Sequence, residues 1–361
     1  TTIMPTQPNS FAPYLIRISK NFEHLANEII GDLGAKLTKR LGEEYFLVQC
    51  PDSADLSSSN AARYIRWKLP LDHAWPCNPG KMDSFIEKAA QSLAKKFKDW
   101  ELQGLFIGRL DPSSGRSYYK SLATNLRGRA LSLFPTELTE LGDPENQNPN
   151  RPSLFCLVGK EGLFCGTISP RDANGFYPGG TKFISQKAPH TISRAGAKIA
   201  EALHYLTLHQ ALPLKGGHWL ELGACPGGMT SELLQRGYQV TAVDRAPLDP
   251  RLDGREGLHF TKKDVVKYQP TGRVNFDAML CDINGDVLPI LEQIIRLSKH
   301  LRANGLVVFT MKTPGAKSFG ETNDLFHTTV SNATSAGLKL IACTHLTYNR
   351  HEFTLFFERG A

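Results

Sequence analysis

The stretch 219–228 constrains the fold more than any other part of the chain. It reads Trp-Leu-Glu-Leu-Gly-Ala-Cys-Pro-Gly-Gly, a short apolar run ending in a glycine-rich turn, with a helix-like pattern over 229–236 at once behind it. Glycine lets the backbone turn sharply and approach a ligand with no Cβ in the way. A turn from a strand into a helix also aims free N–H groups at whatever binds there. The spacing fits neither the phosphate-binding Gly-x-x-x-x-Gly-Lys-Ser/Thr nor the dinucleotide Gly-x-Gly-x-x-Gly. By itself the stretch leaves two readings open, a nucleotide-type cofactor loop and an ordinary strand-to-helix turn.

From this turn onward, strand and helix patterns alternate. Strand candidates cover 219–223, 239–244, 259–260, 276–282, 305–312, 338–345 and 352–358, with helices over 287–301 and 322–336. Such alternation predicts an α/β fold, a doubly wound, mainly parallel sheet covered by helices. No helix separates the last two strands, so they are expected as an antiparallel hairpin at one edge.

The first half has a different grammar. A strand (14–18), a helix (22–33) and two short strands (35–39, 45–48) suggest a small α+β unit. A further strand follows over 64–69, and His73-Ala74-Trp75-Pro76 is expected to close that unit. Residues 82–100 are amphipathic, with Phe85, Ile86, Ala89, Leu93 and Phe97 at helical spacing. A strand (105–110), a helix (117–134) and a hairpin (153–168) complete a second α+β unit. The expected domains are 1–80, 81–185 and 186–361. Residues 1–13 are polar and proline-rich, with neither a basic n-region nor an apolar h-region, and read as a loose tail. No apolar run approaches a membrane span. The seven cysteines form no Cys-x-x-Cys pair and no zinc spacing, so no metal is expected, and reduced thiols in a cytoplasm suit them. Nothing specifies an oligomer, and a monomer is the expectation.

The net charge of +7 is informative once located. Residues 1–150 carry 18 basic and 17 acidic side chains and residues 201–361 carry 17 and 16, while the fifty residues 151–200 carry 7 and 2. Localised basic charge suits a polyanionic partner or a solvated surface. Charge alone favours the solvated surface; Lys182, Lys187 and Arg194 are the candidate contacts should the partner be a polyanion such as RNA. Phe176-Tyr177-Pro178-Gly179-Gly180 lies inside this stretch; its aromatics can stack on bases or anchor a loop, and the residues do not choose. Ser193 is a plausible N-cap for a helix over 195–209.

Ligands of open α/β sheets bind beyond the carboxyl ends of the strands. Asp244, Asp264 and Asp282 stand at three successive strand ends. The run Glu221 to Gly228 resembles motif I of S-adenosylmethionine-dependent methyltransferases in its Ala-x-Pro-Gly-Gly form. That resemblance implies S-adenosylmethionine as cofactor, held by Glu221, Gly223, Ala224, Cys225, Pro226, Gly227, Gly228 and Met229 together with Asp244, Asp264 and Asp282. Asp282-Ile283-Asn284-Gly285 lacks the Asp/Asn-Pro-Pro-aromatic of amino-methylating enzymes, and no Pro-Cys nucleophile follows Asp282. Lys198, Asp282, Lys312 and Glu352 instead resemble the Lys-Asp-Lys-Glu tetrad of the FtsJ-like ribose 2′-O-methyltransferases, and Ser193 to Lys198 resembles that family's Ser-Arg-Ala-x-x-Lys helix. Met229 stands where the family has an aromatic. The domain order is similar to that of the RlmM-like family, which implies ferredoxin-like and THUMP-like RNA-binding domains before a Rossmann-like methyltransferase, and 23S ribosomal RNA or a ribosome precursor as substrate. Transfer RNA and an RNA-binding protein with a vestigial fold are the alternatives.

Overall fold

The computed structural model describes residues 10–52, 54–111, 117–313 and 318–361. Contacts divide the chain into two compact units, one ending at Lys182 and the other beginning at Phe183.

The N-terminal unit holds two four-stranded sheets. The first runs β1 (Phe11–Ile18), a 3-10 turn leading into α1 (Ala26–Asp32), β2 (Lys36–Leu41), β3 (Tyr45–Pro51) and β4 (Ile65–Pro70). Its order is β2-β3-β1-β4 with every neighbour antiparallel. Of the expected tail, 1–9 lie outside the described residues, whereas Phe11, Ala12 and Pro13 pair with Pro51, Cys50 and Gln49 in β3. The tail is therefore shorter than its composition suggests. A proline is tolerated within a strand only where its missing N–H breaks no ladder bond.

The second sheet contains β5 (His73–Pro76), β6 (Leu105–Arg109), β7 (Ser153–Gly159) and β8 (Gly162–Ile168) in the order β5-β8-β7-β6. Helices α2 (Met82–Phe97), α3 (Ser117–Leu131), α4 (Glu137–Glu140) and α5 (Pro170–Ala173) accompany it. His73–Pro76 does not close the first unit: it pairs with β8, and Trp75 stacks on Phe85 at 5.1 Å. Four residues are too few to carry a pairing preference of their own, so the aromatic contact decides. Strand β7 explains why the two sheets cohere. Leu154, Cys156 and Val158 pack with Phe85, Leu93, Phe97, Leu122 and Leu126 of α2 and α3. Phe155 and Leu157 join Leu15, Tyr45, Trp67 and Leu69 of the first sheet. Alternate side chains of a strand point to opposite faces, and both faces of β7 are buried, which is why its sequence reads as an unbroken apolar run.

The C-terminal unit is one seven-stranded sheet. Along the chain come α6 (Ala195–Leu206), β9 (His218–Leu222), α7 (Gly228–Gln235), β10 (Gln239–Asp244), β11 (Leu258–Lys262), β12 (Phe276–Cys281), α8 (Val287–Ser298), β13 (Leu301–Lys312), α9 (Phe319–Ser335), β14 (Leu338–Thr344) and β15 (Glu352–Arg359). The order is β11-β10-β9-β12-β13-β15-β14. The first five are mutually parallel, and β15 is antiparallel to both its neighbours. This is the expected Rossmann-like sheet with its terminal hairpin. Helix α8 stops at Ser298, short of the expected 301, because Leu301 already pairs with Phe276. Among the described residues, no helix is long and apolar enough to cross a membrane.

The two N-terminal sheets meet at Gly166, where an added Cβ would collide with the carbonyl of Pro70. Gly166→Val should lower the stability of the N-terminal unit by ~2 kcal/mol or more, the cost of overpacking against backbone. Urea unfolding followed by circular dichroism measures this, and an unchanged midpoint would contradict the packing described.

Candidate active site

The site gathers at the carboxyl edge of the parallel strands. Where β9 ends, Gly223 takes φ +78 and its N–H donates to the carbonyl of Val243 at 2.9 Å. A further bond holds the turn from below: Cys225 N–H donates to Asp244 Oδ2 at 2.9 Å, while Oδ1 of the same carboxylate accepts the Ala246 N–H of its own loop at 2.9 Å. Asp244 thus fixes the glycine loop as well as bordering the cleft. Gly227 caps α7 at φ +109, which L side chains rarely adopt. A Cβ on Gly228 would strike the Ser193 hydroxyl, and one on Gly196 would stand 3.0 Å from the carbonyl of Gly228. Two glycines therefore let α6 lie against the start of α7. Ser193 is not the N-cap, since Arg194 occupies that position, but its hydroxyl accepts the Ala195 N–H at 3.3 Å.

Three clefts open along this edge. One of about 270 Å³ is lined by Asp244, Arg245, Asp264, Val266, Ile283 and Ile290, among others. A second of about 200 Å³ is lined by the loop residues Glu221, Ala224, Cys225, Pro226, Gly228 and Met229, together with Lys198, Asp282 and Lys312. Gly223 lines both. A wider groove of about 690 Å³ begins at Asn284 and Lys312 and runs past Asp286, Thr313, Leu325 and His351. Asp264 also accepts the Val266 N–H at 2.9 Å, holding the short turn after β11.

Lys198, Asp282, Lys312 and Glu352 come together. Lys312 and Glu352 are direct partners in the β13–β15 register. Lys198 Nζ lies 3.0 Å from Asp282 Oδ2 and 2.6 Å from Glu352 Oε1. Lys312 Nζ donates to Glu352 Oε2 at 2.7 Å and also to Asp282 Oδ1. The four charges form a closed ring of alternating sign, with side-chain exposures from 8% to 20%. Charges so far from water persist only when paired. Burial works to depress the Lys312 ammonium, but Asp282 and Glu352 outweigh it and hold the pKa above its ordinary value. Burial works to raise Glu352, and the two lysines more than reverse that.

Glu221 differs from the other acids. It is 2% exposed, and burial pushes its carboxyl up to about 8, although Thr230 Oγ1 donates to it at 2.5 Å. The basic segment does not stay together as a unit. Lys182 belongs to the N-terminal unit and pairs with Glu145, while Lys187 and Arg194 are exposed in the C-terminal unit. Phe176 is buried rather than presented to solvent, and Arg17 Nη1 donates to the Gly179 carbonyl at 2.8 Å. The aromatic loop is an anchor. Sequence reasoning missed Arg245, Ile283 and Ile290; the first two stand just past strand ends, which could have flagged them, while Ile290 lies on α8 and carries no such signal. No cluster of ligating side chains able to hold a metal is found among the described residues.

Residues 191–315, which lie within the C-terminal unit, match the FtsJ-like methyltransferase family. The chain is also similar to the ribosomal RNA large subunit methyltransferase M of Halorhodospira halophila, 30% identical over 219 residues covering 59% of each chain. The Shewanella loihica protein of the same name is 27% identical over 224 residues, 58% of this chain and 59% of that one. The chain thus spans about three-fifths of the length of these curated relatives. Among solved structures, a fibrillarin/Nop5p complex chain superposes with a TM-score of 0.39 at 18% identity, covering 50% of this chain and 91% of that one.

The raised Glu221 pKa has a thermodynamic signature. The carboxyl ionises near 4.5 when unfolded and near 8 when folded. Its contribution to stability is full below the lower value and is lost as pH rises to the upper one, by about 1.4 kcal/mol per pH unit at most. Glu221→Gln cannot titrate, so wild type should lose stability relative to the variant between pH 5 and 8. Urea midpoints at both pH values measure the difference, and parallel pH dependences would refute a neutral Glu221.

Proposed function

We propose that this chain is an S-adenosylmethionine-dependent ribose 2′-O-methyltransferase acting on RNA, with 23S ribosomal RNA of the large subunit as its substrate. The observation that carries this reading is the closed Lys198-Asp282-Lys312-Glu352 ring beside a glycine-rich turn. The names of the curated relatives support the choice of RNA.

The cleft residues fit the cofactor. Gly223 and Gly227 adopt positive φ where any side chain would be strained, and the start of α7 opens on the second cleft. Asp244 and Asp264 would hold the nucleoside's polar groups, Val266, Ile283 and Ile290 its purine, and the loop 224–229 its amino-acid end. When bound, the cofactor supplies a methyl group activated on a positively charged sulfur.

The remaining chemistry belongs to the chain. A ribose hydroxyl is a poor nucleophile until its proton is accepted. Lys312 is the general base, Asp282 and Lys198 orient it and the hydroxyl, and Glu352 holds both lysines. The groove past Asn284 and Thr313 is where the acceptor nucleotide would lie. Further back in the chain, the β1-α1-β2-β3-β4 sheet is assigned as the ferredoxin-like domain, and the following sheet, which takes in β5, as the THUMP-like one. The β2-β3-β1-β4 order supports the first assignment. The protein acts in the cytoplasm, where its seven free thiols remain reduced.

Lys312→Ala should reduce methyl transfer by ~100-fold or more while cofactor titration shows retained binding. Lys198 still pairs with both acids in that variant, so the fold should survive. Wild-type turnover in the variant would refute the assignment. Because Lys312 is held above its ordinary pKa, its neutral form is scarce near neutrality and grows with pH. The rate constant for transfer should rise about tenfold per pH unit between pH 7 and 9, and a flat profile would exclude Lys312 as the base. Mapping 2′-O-methyl marks on ribosomal RNA from cells with and without the gene identifies the substrate, and an unchanged map would remove the ribosomal assignment.

A further inference from the structure

The tetrad rests on a turn that none of its four members belongs to. Residues 345–351 connect β14 to β15 and deliver Glu352 to the ring. One turn of helix beyond Lys198 on α6, Glu201 is 1% exposed and accepts the N–H groups of Thr347 at 3.0 Å and Tyr348 at 3.3 Å, one on each carboxylate oxygen. Inside the turn, Asn349 Oδ1 accepts the Leu346 N–H at 2.8 Å and the Thr354 hydroxyl at 3.1 Å. Because a backbone N–H can only donate, the Asn349 amide must present its oxygen to Leu346 and its nitrogen to Glu352. Asn349 Nδ2 accordingly donates to Glu352 Oε1 at 3.2 Å.

We infer that Glu201 is a positioning residue for methyl transfer, fixing Lys198 and Glu352 relative to one another by clamping the turn 345–351 onto α6. A carboxylate buried this deeply is costly unless hydrogen bonds compensate it. The two N–H donors face different oxygens, and glutamine would keep only one of those two positions as an acceptor. The clamp joins the helix that carries one lysine to the strand that carries the glutamate bridging both. Through Asn349 it also sets the rotation of that glutamate, so that Oε1 meets Lys198 and Oε2 meets Lys312. Glu201 acts on the ring through the turn 345–351.

The inference rests on the methyl-transfer reading for its kinetic arm and on geometry alone for its structural arm. Glu201→Gln keeps the shape of the side chain and turns one acceptor into a donor facing an N–H. Its kcat should fall by about one to two orders of magnitude, the scale set by displacing reacting groups by about an ångström. KM for the RNA and the cofactor dissociation constant should stay within about threefold, because neither binding surface changes. A crystal structure of the variant should show the turn lifted from α6 and the Glu352 carboxylate out of reach of Lys198. Asn349→Ala, which leaves the clamp and removes its link to Glu352, should reproduce the kcat-selective loss should Glu201→Gln fail to fold. A wild-type kcat in either variant, or a loss confined to KM, would overturn the inference. Should the wild-type protein transfer no methyl group to RNA, the crystal structure still decides: Glu352 unmoved in Glu201→Gln overturns the clamp, and Glu352 displaced upholds it while the functional reading fails.

Discussion

The antiparallel pairing of β13 with β15 is the interaction on which the site depends. It sets Lys312 opposite Glu352 at the end of the ladder. Side chains along a strand alternate between faces, so a slip of one residue would send one partner to the opposite side of the sheet. The register is secured by the residues behind the pair. Phe353, Leu355, Phe356 and Phe357 are buried without remainder, as are Val307 and Met311 of β13. Apolar burial along two strands thus determines the placement of two charges at their tips. Once there, the charges hold each other: four ions of alternating sign compensate a desolvation that none could bear alone.

Much of this was legible because it is local. Strand-helix alternation, the glycine turn and an acid at each strand end are patterns within a few residues, and each led to the right edge of the sheet. Lys312 and Glu352 could be paired from sequence because the absence of a helix between the last two strands dictates an antiparallel return. What escaped notice depends on partners distant in sequence. Asp244 reads as a ligand-binding acid, yet both its oxygens take backbone N–H groups, one of the glycine loop and one of its own. Glu201 reads as one polar residue on an apolar helix, and its partners lie nearly 150 residues away. Phe176 reads equally as anchor or stacking platform, because only the buried Arg17 and Arg66, which bind the carbonyls of Gly179 and Gly180, decide the matter.

The charge distribution shows a related lesson. Excess basic residues concentrated in one stretch of sequence need not form one surface. Of that stretch, Lys198 is consumed by the ring, Lys182 pairs with an acid, and the remainder is shared between two units. Linear charge density describes the chain before folding. Placement by the fold decides how much of it a polyanion could meet.

Gly223 separates two of the clefts by a single α-carbon. Its conformation, with φ at +78, and the approach of Ile283 to within 2.5 Å of where a Cβ would stand leave no room for a partition. The two clefts therefore meet at the Gly223 backbone, which lines both. A ligand long enough to occupy both is held at a fixed bend. Two shorter ligands, each matched to one limb, would be accommodated side by side instead of competing. The residue without a side chain is thus the one around which a ligand spanning both limbs would bend.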